Sequence, residues 1–117
     1  MNPMSVDCLF CRIVAGEIPA RRAYEDDRVF AFHDIHPGAP THVLLIPKTH
    51  MAGLAEAGDG DAALLGHLQL VAARLARDLH LTGGFRTVLN VGPDAGQSVF
   101  HLHLHLLGGR ALAWPPG

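Results

Sequence analysis

Histidine and leucine alternate from His101 to Leu106, and no other part of the sequence restricts the fold as strongly. Neighbouring side chains of a β-strand point to opposite faces, so this segment would place three imidazoles on one face and three leucines on the other. The leucine face needs an apolar layer beneath it. Unpartnered imidazoles are costly in an apolar core, so the histidine face is expected to carry chemistry rather than packing.

The apolar layer is predicted to be a long helix over about residues 61–79. Its large apolar side chains recur at spacings of four, three, four and four residues, which places them on one helical face. They are Leu64, Leu68, Val71, Leu75 and Leu79. A shorter helix is predicted over residues 8–15, with Asp7 as its cap.

The remaining segments favour strands joined by short turns, which suits antiparallel neighbours. They are a hairpin over residues 21–32, a strand over 42–46 that Pro47 ends, and strands over 85–91 and 99–107. We therefore expect an α+β fold, an antiparallel sheet of about five strands with one long and one short helix covering one face. The 117 residues are expected to form a single domain, 1–117.

Charge and hydropathy exclude several classes of function. Nine basic and eleven acidic side chains give a formal net charge of −2, which argues against nucleic-acid binding through a basic face. No apolar run is long enough to span a bilayer, and the N-terminal segment lacks the basic and apolar blocks of a signal peptide. We expect a soluble, cytoplasmic protein that does not bind membranes.

Cys8 and Cys11 form a single C-x-x-C pair. A structural disulfide is not expected in a protein without an export signal. Three interpretations stay open on these residues alone: a redox pair, half of a metal site, and two small side chains buried in a core.

A glycine-containing loop stands directly before the alternating strand. Gly92, Gly96, Gln97 and Ser98 are typical of a loop whose backbone N–H groups can approach an anion closely. A phosphate held there would lie near the three histidines, which favours nucleophilic chemistry at phosphorus. A three-histidine metal site is the competing interpretation, although same-face positions about 6.6 Å apart converge poorly on one ion.

The whole pattern resembles the histidine triad (HIT) family. His101–Leu107 matches the family signature, in which three histidines alternate with apolar residues. Further matches extend from about residue 7 to residue 117 and resemble the Hint branch. They are Phe32–Ile35, Ala39–His42, Ile46–Lys48, Gly96–Val99 and Trp114–Gly117.

The resemblance implies a nucleotide hydrolase or transferase that cleaves purine (adenosine) 5′-monophosphoramidates to AMP and an amine. His103 would attack phosphorus and form a covalent nucleotidyl-histidine, with the backbone carbonyl of His101 fixing the proton on its other ring nitrogen. His105, His42 and Ser98 would surround the phosphate and the leaving group. An imidazole with the ordinary pKa of about 6.5 is largely neutral at pH 7, so this attack needs neither a strong base nor a catalytic metal.

The resemblance also implies a nucleotide site, a dimer and a structural metal. The nucleotide would contact Asp34 at the ribose, Leu9, Phe10, Phe32 and Leu44 at the purine, and Asn90, Gly96, Gln97, Ser98 and Val99 at the phosphate. A homodimer through sheet and long helix would bring Trp114 to the partner's leaving-group pocket. A structural zinc would be held by Cys8, Cys11, His50 and His101. The other histidines, His33, His36, His67 and His80, are expected to be ordinary surface or helix residues.

Two other functions are compatible with the same residues. One is a dinucleoside polyphosphate hydrolase of the same superfamily, which would use the same nucleophile. The other is a regulatory module that binds a nucleotide or zinc without useful turnover.

Overall fold

One five-stranded antiparallel sheet and two α-helices make up residues 8–117, the part of the chain that this computed structural model describes. The elements are α1 (Leu9–Val14), β1 (Arg22–Glu25), β2 (Val29–His33), β3 (Thr41–Pro47), α2 (Ala62–Asp78), β4 (Phe85–Val88) and β5 (Leu104–Gly108). The strand order is β1-β2-β3-β5-β4. The predicted α+β fold, with one long and one short helix, is confirmed. The predicted domain also includes residues 1–7, which lie outside the described residues.

The central strand β3 is apolar on both of its faces, and each face is covered. Val43 and Leu45 lie in the core beneath α2, together with alternate residues of β2 and β5. Leu44 and Ile46 point the other way and pack with residues of α1. The expectation that both helices cover one face was therefore wrong. A continuous apolar run indicates a strand that is buried on both faces, and here it needs one helix for each.

The predicted stripe on the long helix is confirmed. Leu68, Val71 and Leu75 are buried beneath the sheet, and Leu64 and Leu79 pack against the same core from nearer the helix ends. Each fully buried aliphatic side chain contributes about 1.5–3 kcal/mol relative to an exposed one. This layer therefore anchors β5 from the side opposite its histidines.

The short helix begins at Leu9, one residue later than predicted, and ends at Val14, one residue sooner than predicted. Cys8 is the N-cap residue, and its Sγ accepts a hydrogen bond from the backbone N–H of Cys11 at 3.3 Å. The predicted cap, Asp7, lies outside the described residues. The cap contact places both cysteine side chains on the inner side of α1, where both are buried.

The strand that carries the histidines is shorter than predicted. It pairs with β3 only from Leu104 onwards, because Leu102 donates its N–H to the Met51 carbonyl at 2.6 Å instead of joining the ladder. β4 likewise ends at Val88, opposite His105. The alternation of faces nevertheless continues: Leu102 is buried in the core beneath α2, and His101 is buried on the opposite side.

A polar contact ties the β1–β2 turn to the long helix. The Asp26 carboxylate accepts hydrogen bonds from the Tyr24 hydroxyl at 2.7 Å and, through a ring N–H, from His67 at 2.6 Å. Its other oxygen accepts the backbone N–H groups of Arg28 and Val29. Burial alone would raise the pKa of Asp26, but these hydrogen bonds outweigh it and hold the pKa well below its usual range. His67 is thus a helix residue, as predicted, with a structural contact.

Within residues 8–117, no helix has the length and apolar character needed to cross a membrane.

Candidate active site

His101 is the most deeply buried of the three alternating histidines, with no exposed surface. Its Nε2–H donates to the backbone carbonyl of Pro47 at 2.8 Å, since a carbonyl can only accept. Nδ1 therefore carries a lone pair. Burial lowers the pKa of His101 to about 4, so the ring is neutral at pH 7.

Three further potential metal ligands surround that Nδ1 atom and make a group of four with it. It lies 3.3 Å from Cys8 Sγ, 3.5 Å from Cys11 Sγ and 3.1 Å from His50 Nδ1. Cys11 Sγ is also 3.3 Å from His50 Nδ1. Ligands at zinc's preferred distances, about 2.0–2.1 Å for nitrogen and about 2.3 Å for sulfur, lie roughly 3.3–3.8 Å apart in a tetrahedron. The observed spacings and the two-thiol, two-imidazole donor set fit such an ion.

A backbone hydrogen bond determines which ring nitrogen of His103 is left to react. Its Nδ1–H donates to the backbone carbonyl of His101 at 2.8 Å, which is the contact that the resemblance implied. In the neutral ring the lone pair is therefore on Nε2. The edge-on ring of Phe10 packs beside the imidazole, with ring centroids 5.1 Å apart. Such a nitrogen is a nucleophile that needs no prior deprotonation.

A chain of hydrogen bonds fixes the proton positions on the other two rings. The backbone N–H of Gly38 donates to His42 Nδ1 at 2.9 Å, so the proton of a neutral His42 is on Nε2. That Nε2–H lies 2.9 Å from His105 Nδ1, which accepts it. His105 must then carry its own proton on Nε2. This atom is buried and has no hydrogen-bond partner within residues 8–117.

Burial keeps these two imidazoles uncharged. Desolvation, reinforced by the charges of His103 and His42, lowers the pKa of His105 to about 4. Desolvation also lowers the pKa of His42, against the opposing effect of Asp34, whose carboxylate lies 3.5 Å from its Nε2. A neutral His105, with its ring centroid 5.0 Å from that of His103, is a hydrogen-bond donor without an acceptor among residues 8–117, and it lines the same cavity as His103.

His103 and His105 open onto a cavity of about 400 Å³. The predicted purine-binding residues line it, together with the ribose-binding candidate and two of the phosphate-binding candidates. They are Leu9, Phe10, Phe32, Leu44, Asp34, Ser98 and Val99. Its volume lies in the range of small-molecule sites, and its lining is mostly apolar with a few polar groups.

The other predicted phosphate-binding residues do not line this cavity. Gln97 is buried and braces its loop: its Oε1 accepts from Gly92 N–H at 2.9 Å, and its Nε2 donates to the Ala52 carbonyl at 2.8 Å. Gly96 ends the short turn of that loop with a φ of +91°, a conformation that favours glycine. Asn90 follows β4 and also lies outside the cavity lining.

Trp114 lies in the segment after β5, where 81% of its surface is exposed. It does not line the cavity of its own chain. The structure thus brings His103, His105, Asp34 and Ser98 together around one cavity and leaves this aromatic side chain apart from them.

Comparison with known proteins agrees with this geometry. A model of the HIT domain matches residues 15–112. The chain belongs to the HIT domain family. A HIT family hydrolase from Legionella pneumophila has the same fold, with a TM-score of 0.93 and 50% identity over 95% of this chain and 100% of that one. An uncharacterized HIT-like protein of Synechococcus elongatus is 55% identical over 114 residues, which cover 97% of this chain and all of that protein. A 14 kDa zinc-binding protein of Zea mays is 49% identical over 111 residues, 93% of this chain and 87% of its own.

Sequence reasoning missed several groups around the site of this HIT protein. Ile18 and Arg21 line the cavity, and no pattern in the sequence distinguishes them from ordinary loop residues. His33 and His36, which were expected to be ordinary surface or helix residues, line it as well. The Gly38 N–H and the Pro47 carbonyl, which set the protons on His42 and His101, are backbone groups. Backbone groups leave no signature in side-chain chemistry, so only the fold could identify them.

Proposed function

We propose that this HIT protein is a Hint-type enzyme that cleaves purine (adenosine) 5′-monophosphoramidates to AMP and an amine. The observation that supports this most directly is the pair formed by His103 and His105. One presents a lone pair on a neutral ring, and the other presents a buried N–H without a partner. Displacement at phosphorus with an amine leaving group needs these two groups.

In the first step, His103 Nε2 forms a bond to the α-phosphorus while the phosphorus–nitrogen bond to the amine breaks. The amine takes the proton from His105 Nε2, while His42 keeps its Nε2 proton and donates it in a hydrogen bond to His105 Nδ1. The negative charge left on His105 is balanced by the nucleotidyl-imidazolium on His103, which keeps its Nδ1 proton on the His101 carbonyl. In the second step, water attacks phosphorus, the bond to His103 breaks, and the proton from water returns to His105 Nε2.

The cavity suits a purine nucleoside with its base on the two phenylalanine rings and its ribose at Asp34. Phe10 and Phe32 meet edge to face, with centroids 5.6 Å apart, and would pack on the base. Asp34 is fixed by accepting His36 N–H on one oxygen, and its carboxylate would accept the ribose hydroxyls. We propose that the phosphate lies by the backbone of Gly96–Val99, with Ser98 donating its hydroxyl and Asn90 approaching from β4.

We further propose that Cys8, Cys11, His50 and His101 hold a structural zinc ion. When bound, the ion would crosslink α1 to the sheet through two thiolates and two imidazoles. Its support is the donor spacing described above and the zinc-binding protein of Zea mays among the relatives. The reacting groups, His103, His105 and His42, need no metal in this scheme.

The proposed assembly is a homodimer in the cytoplasm. β4 is one of the two edge strands of the sheet, and Phe85 on it is 45% exposed. An unpaired edge with an exposed aromatic ring favours pairing with a second copy. Leu70 on α2 is 64% exposed and would join this surface, and Trp114 would then reach the partner's cavity. Two reduced, buried thiols suit a reducing compartment.

The test is release of AMP from an adenosine 5′-monophosphoramidate in excess chelator. We expect turnover by the wild type and a rate lower by about 100-fold or more in His103→Ala. The control His80→Asn, which changes an exposed histidine outside the site, should react at the wild-type rate. Mass spectrometry of rapidly quenched reactions should detect AMP on the peptide that contains His103.

Two results would reject the proposal in different directions. Faster release from a dinucleoside polyphosphate than from the phosphoramidate would favour the polyphosphate hydrolase. Tight nucleotide binding without turnover of either substrate would favour the regulatory module.

A further inference from the structure

The structure assigns Arg110 as a positioning residue that controls the protonation pattern of His42 from outside the site. This assignment rests on the proposed function, because it concerns the supply of a proton to the leaving group. Arg110 lies just after β5, and its side chain neither lines the cavity nor touches a histidine. It acts through the loop of residues 36–40, at the backbone of Gly38.

Gly38 is held on both sides. Its N–H donates inward to His42 Nδ1 at 2.9 Å, and its carbonyl accepts from Arg110 Nη2 at 2.9 Å. Arg110 is itself fixed, because Nη1 donates to the carbonyl of Ala111 at 2.9 Å. The planar guanidinium therefore holds this loop in a fixed position relative to the chain after β5.

Gly109 supplies a second contact to the same loop. Its φ of +94° is in the region that favours glycine, and an added Cβ would lie 2.9 Å from Pro40 Cβ. The 109–110 segment thus approaches the loop closely at Pro40 and bonds to it at Gly38. Both contacts act on the loop that supplies a single N–H to the site.

The Gly38 N–H determines which ring nitrogen of His42 carries the proton, and therefore the direction of the hydrogen bond between His42 and His105. While it occupies His42 Nδ1, the His42 proton stays on Nε2 and is donated to His105 Nδ1. If Gly38 moves away, His42 can carry its proton on Nδ1. His42 Nε2 would then face His105 Nδ1 with lone pairs on both atoms, unless the His105 proton also moved to Nδ1. His105 Nε2 would be left bare, with no proton for a departing amine.

The test compares Arg110→Gln, Arg110→Lys and the control Arg77→Gln, which alters an exposed arginine in the last turn of α2. AMP release from the phosphoramidate gives kcat and KM. Nitrogen-15 NMR of histidine-labelled protein gives the proton position on His42, independently of any turnover. We expect Arg110→Gln to lower kcat about fivefold, with KM changed less than about twofold, as for loss of one hydrogen bond to an exposed charged group.

In the same variant the His42 signals should shift towards the Nδ1–H form. Arg110→Lys should restore part of kcat, because an ammonium group can reach the same carbonyl, and Arg77→Gln should match the wild type. Gly109→Ala, which displaces the loop at Pro40, should reproduce the change in the His42 spectrum. Thermal unfolding of each variant identifies any that do not fold.

Unchanged His42 signals in Arg110→Gln would overturn the assignment, whether or not kcat falls. A wild type that does not turn over the phosphoramidate would instead reject the proposed function. The NMR comparison would then still decide whether Arg110 sets the His42 proton.

Discussion

Acidification should destabilise this protein through His105. Its pKa is lowered from 6.5 to about 4, chiefly by burial, whereas the same imidazole in the unfolded chain takes up a proton near pH 6.5. A folded pKa below the unfolded value means that the unfolded state binds more protons between these two values. The free energy of unfolding must therefore fall as the pH falls through that window, and it is fully retained above it.

The size of the effect follows from the width of the window. For one imidazole, each pH unit between the two pKa values changes the free energy of unfolding by about 1.4 kcal/mol. From pH 6.5 down to about pH 5, His105 alone should remove about 2 kcal/mol. The substitution His105→Asn removes this titration, so the variant should lose about 2 kcal/mol less than the wild type over the same interval.

Urea denaturation near pH 7 and near pH 5 measures the two free energies of unfolding. Titrating groups that do not interact with His105, including His101, are present in both proteins and cancel in the difference. His80→Asn is the matched control, since it removes an exposed imidazole at a φ of +59° that asparagine tolerates, and it should follow the wild type. Equal pH dependence in His105→Asn and the wild type would refute the account of this ring as buried and neutral.

Three further outcomes are expected. Leu104→Ala should cost about 2–5 kcal/mol of unfolding free energy in urea titrations, because the side chain is 2% exposed in the core beneath α2; a cost below about 1 kcal/mol would contradict that packing. Tyr24→Phe should cost about 1 kcal/mol near pH 7, since it removes a hydrogen bond to the Asp26 carboxylate. Because the pKa of Asp26 is held well below its usual range, this cost should persist at about pH 4 and shrink only at lower pH, where the folded carboxyl takes up its proton; a cost already lost near pH 4 would contradict the lowered pKa. Cys8→Ser should lower zinc content from about one ion per chain, measured by metal analysis, and should lower the melting temperature; equal zinc content in both proteins would exclude this ligand set.

The sequence predicted the parts of the fold that depend on periodicity. The helical stripe through Leu68, Val71 and Leu75 and the alternation around His103 both recur in the structure with the expected faces. Element ends were less predictable, because they depend on distant partners. β5 begins at Leu104 because the Leu102 N–H donates a hydrogen bond to the carbonyl of Met51, a residue 51 positions earlier. No local sequence pattern predicts this contact.

The candidate site also has one part that the sequence could predict and another that depends on the fold. Side chains with distinctive chemistry, such as Asp34 and the two cysteines, could be selected from the sequence and are found in the expected clusters. The contacts that set proton positions come from the backbone of Gly38, Pro47 and His101. Any residue type has these atoms, so their role depends on where the fold places them.

The pairing of β5 with β3 also protects the chain from assembling incorrectly. Leu44 stands opposite His105, and Leu45 stands opposite Leu104. A slip of one residue in β5 would exchange its two faces and turn the imidazoles towards α2. Each imidazole buried there without a partner would cost about 1–3 kcal/mol, and the displaced leucines would lose their core contacts as well. The alternation that builds the reactive face therefore also selects its own strand register, so a polar substitution for Leu104 or Leu106 would weaken the discrimination against misregistered sheets.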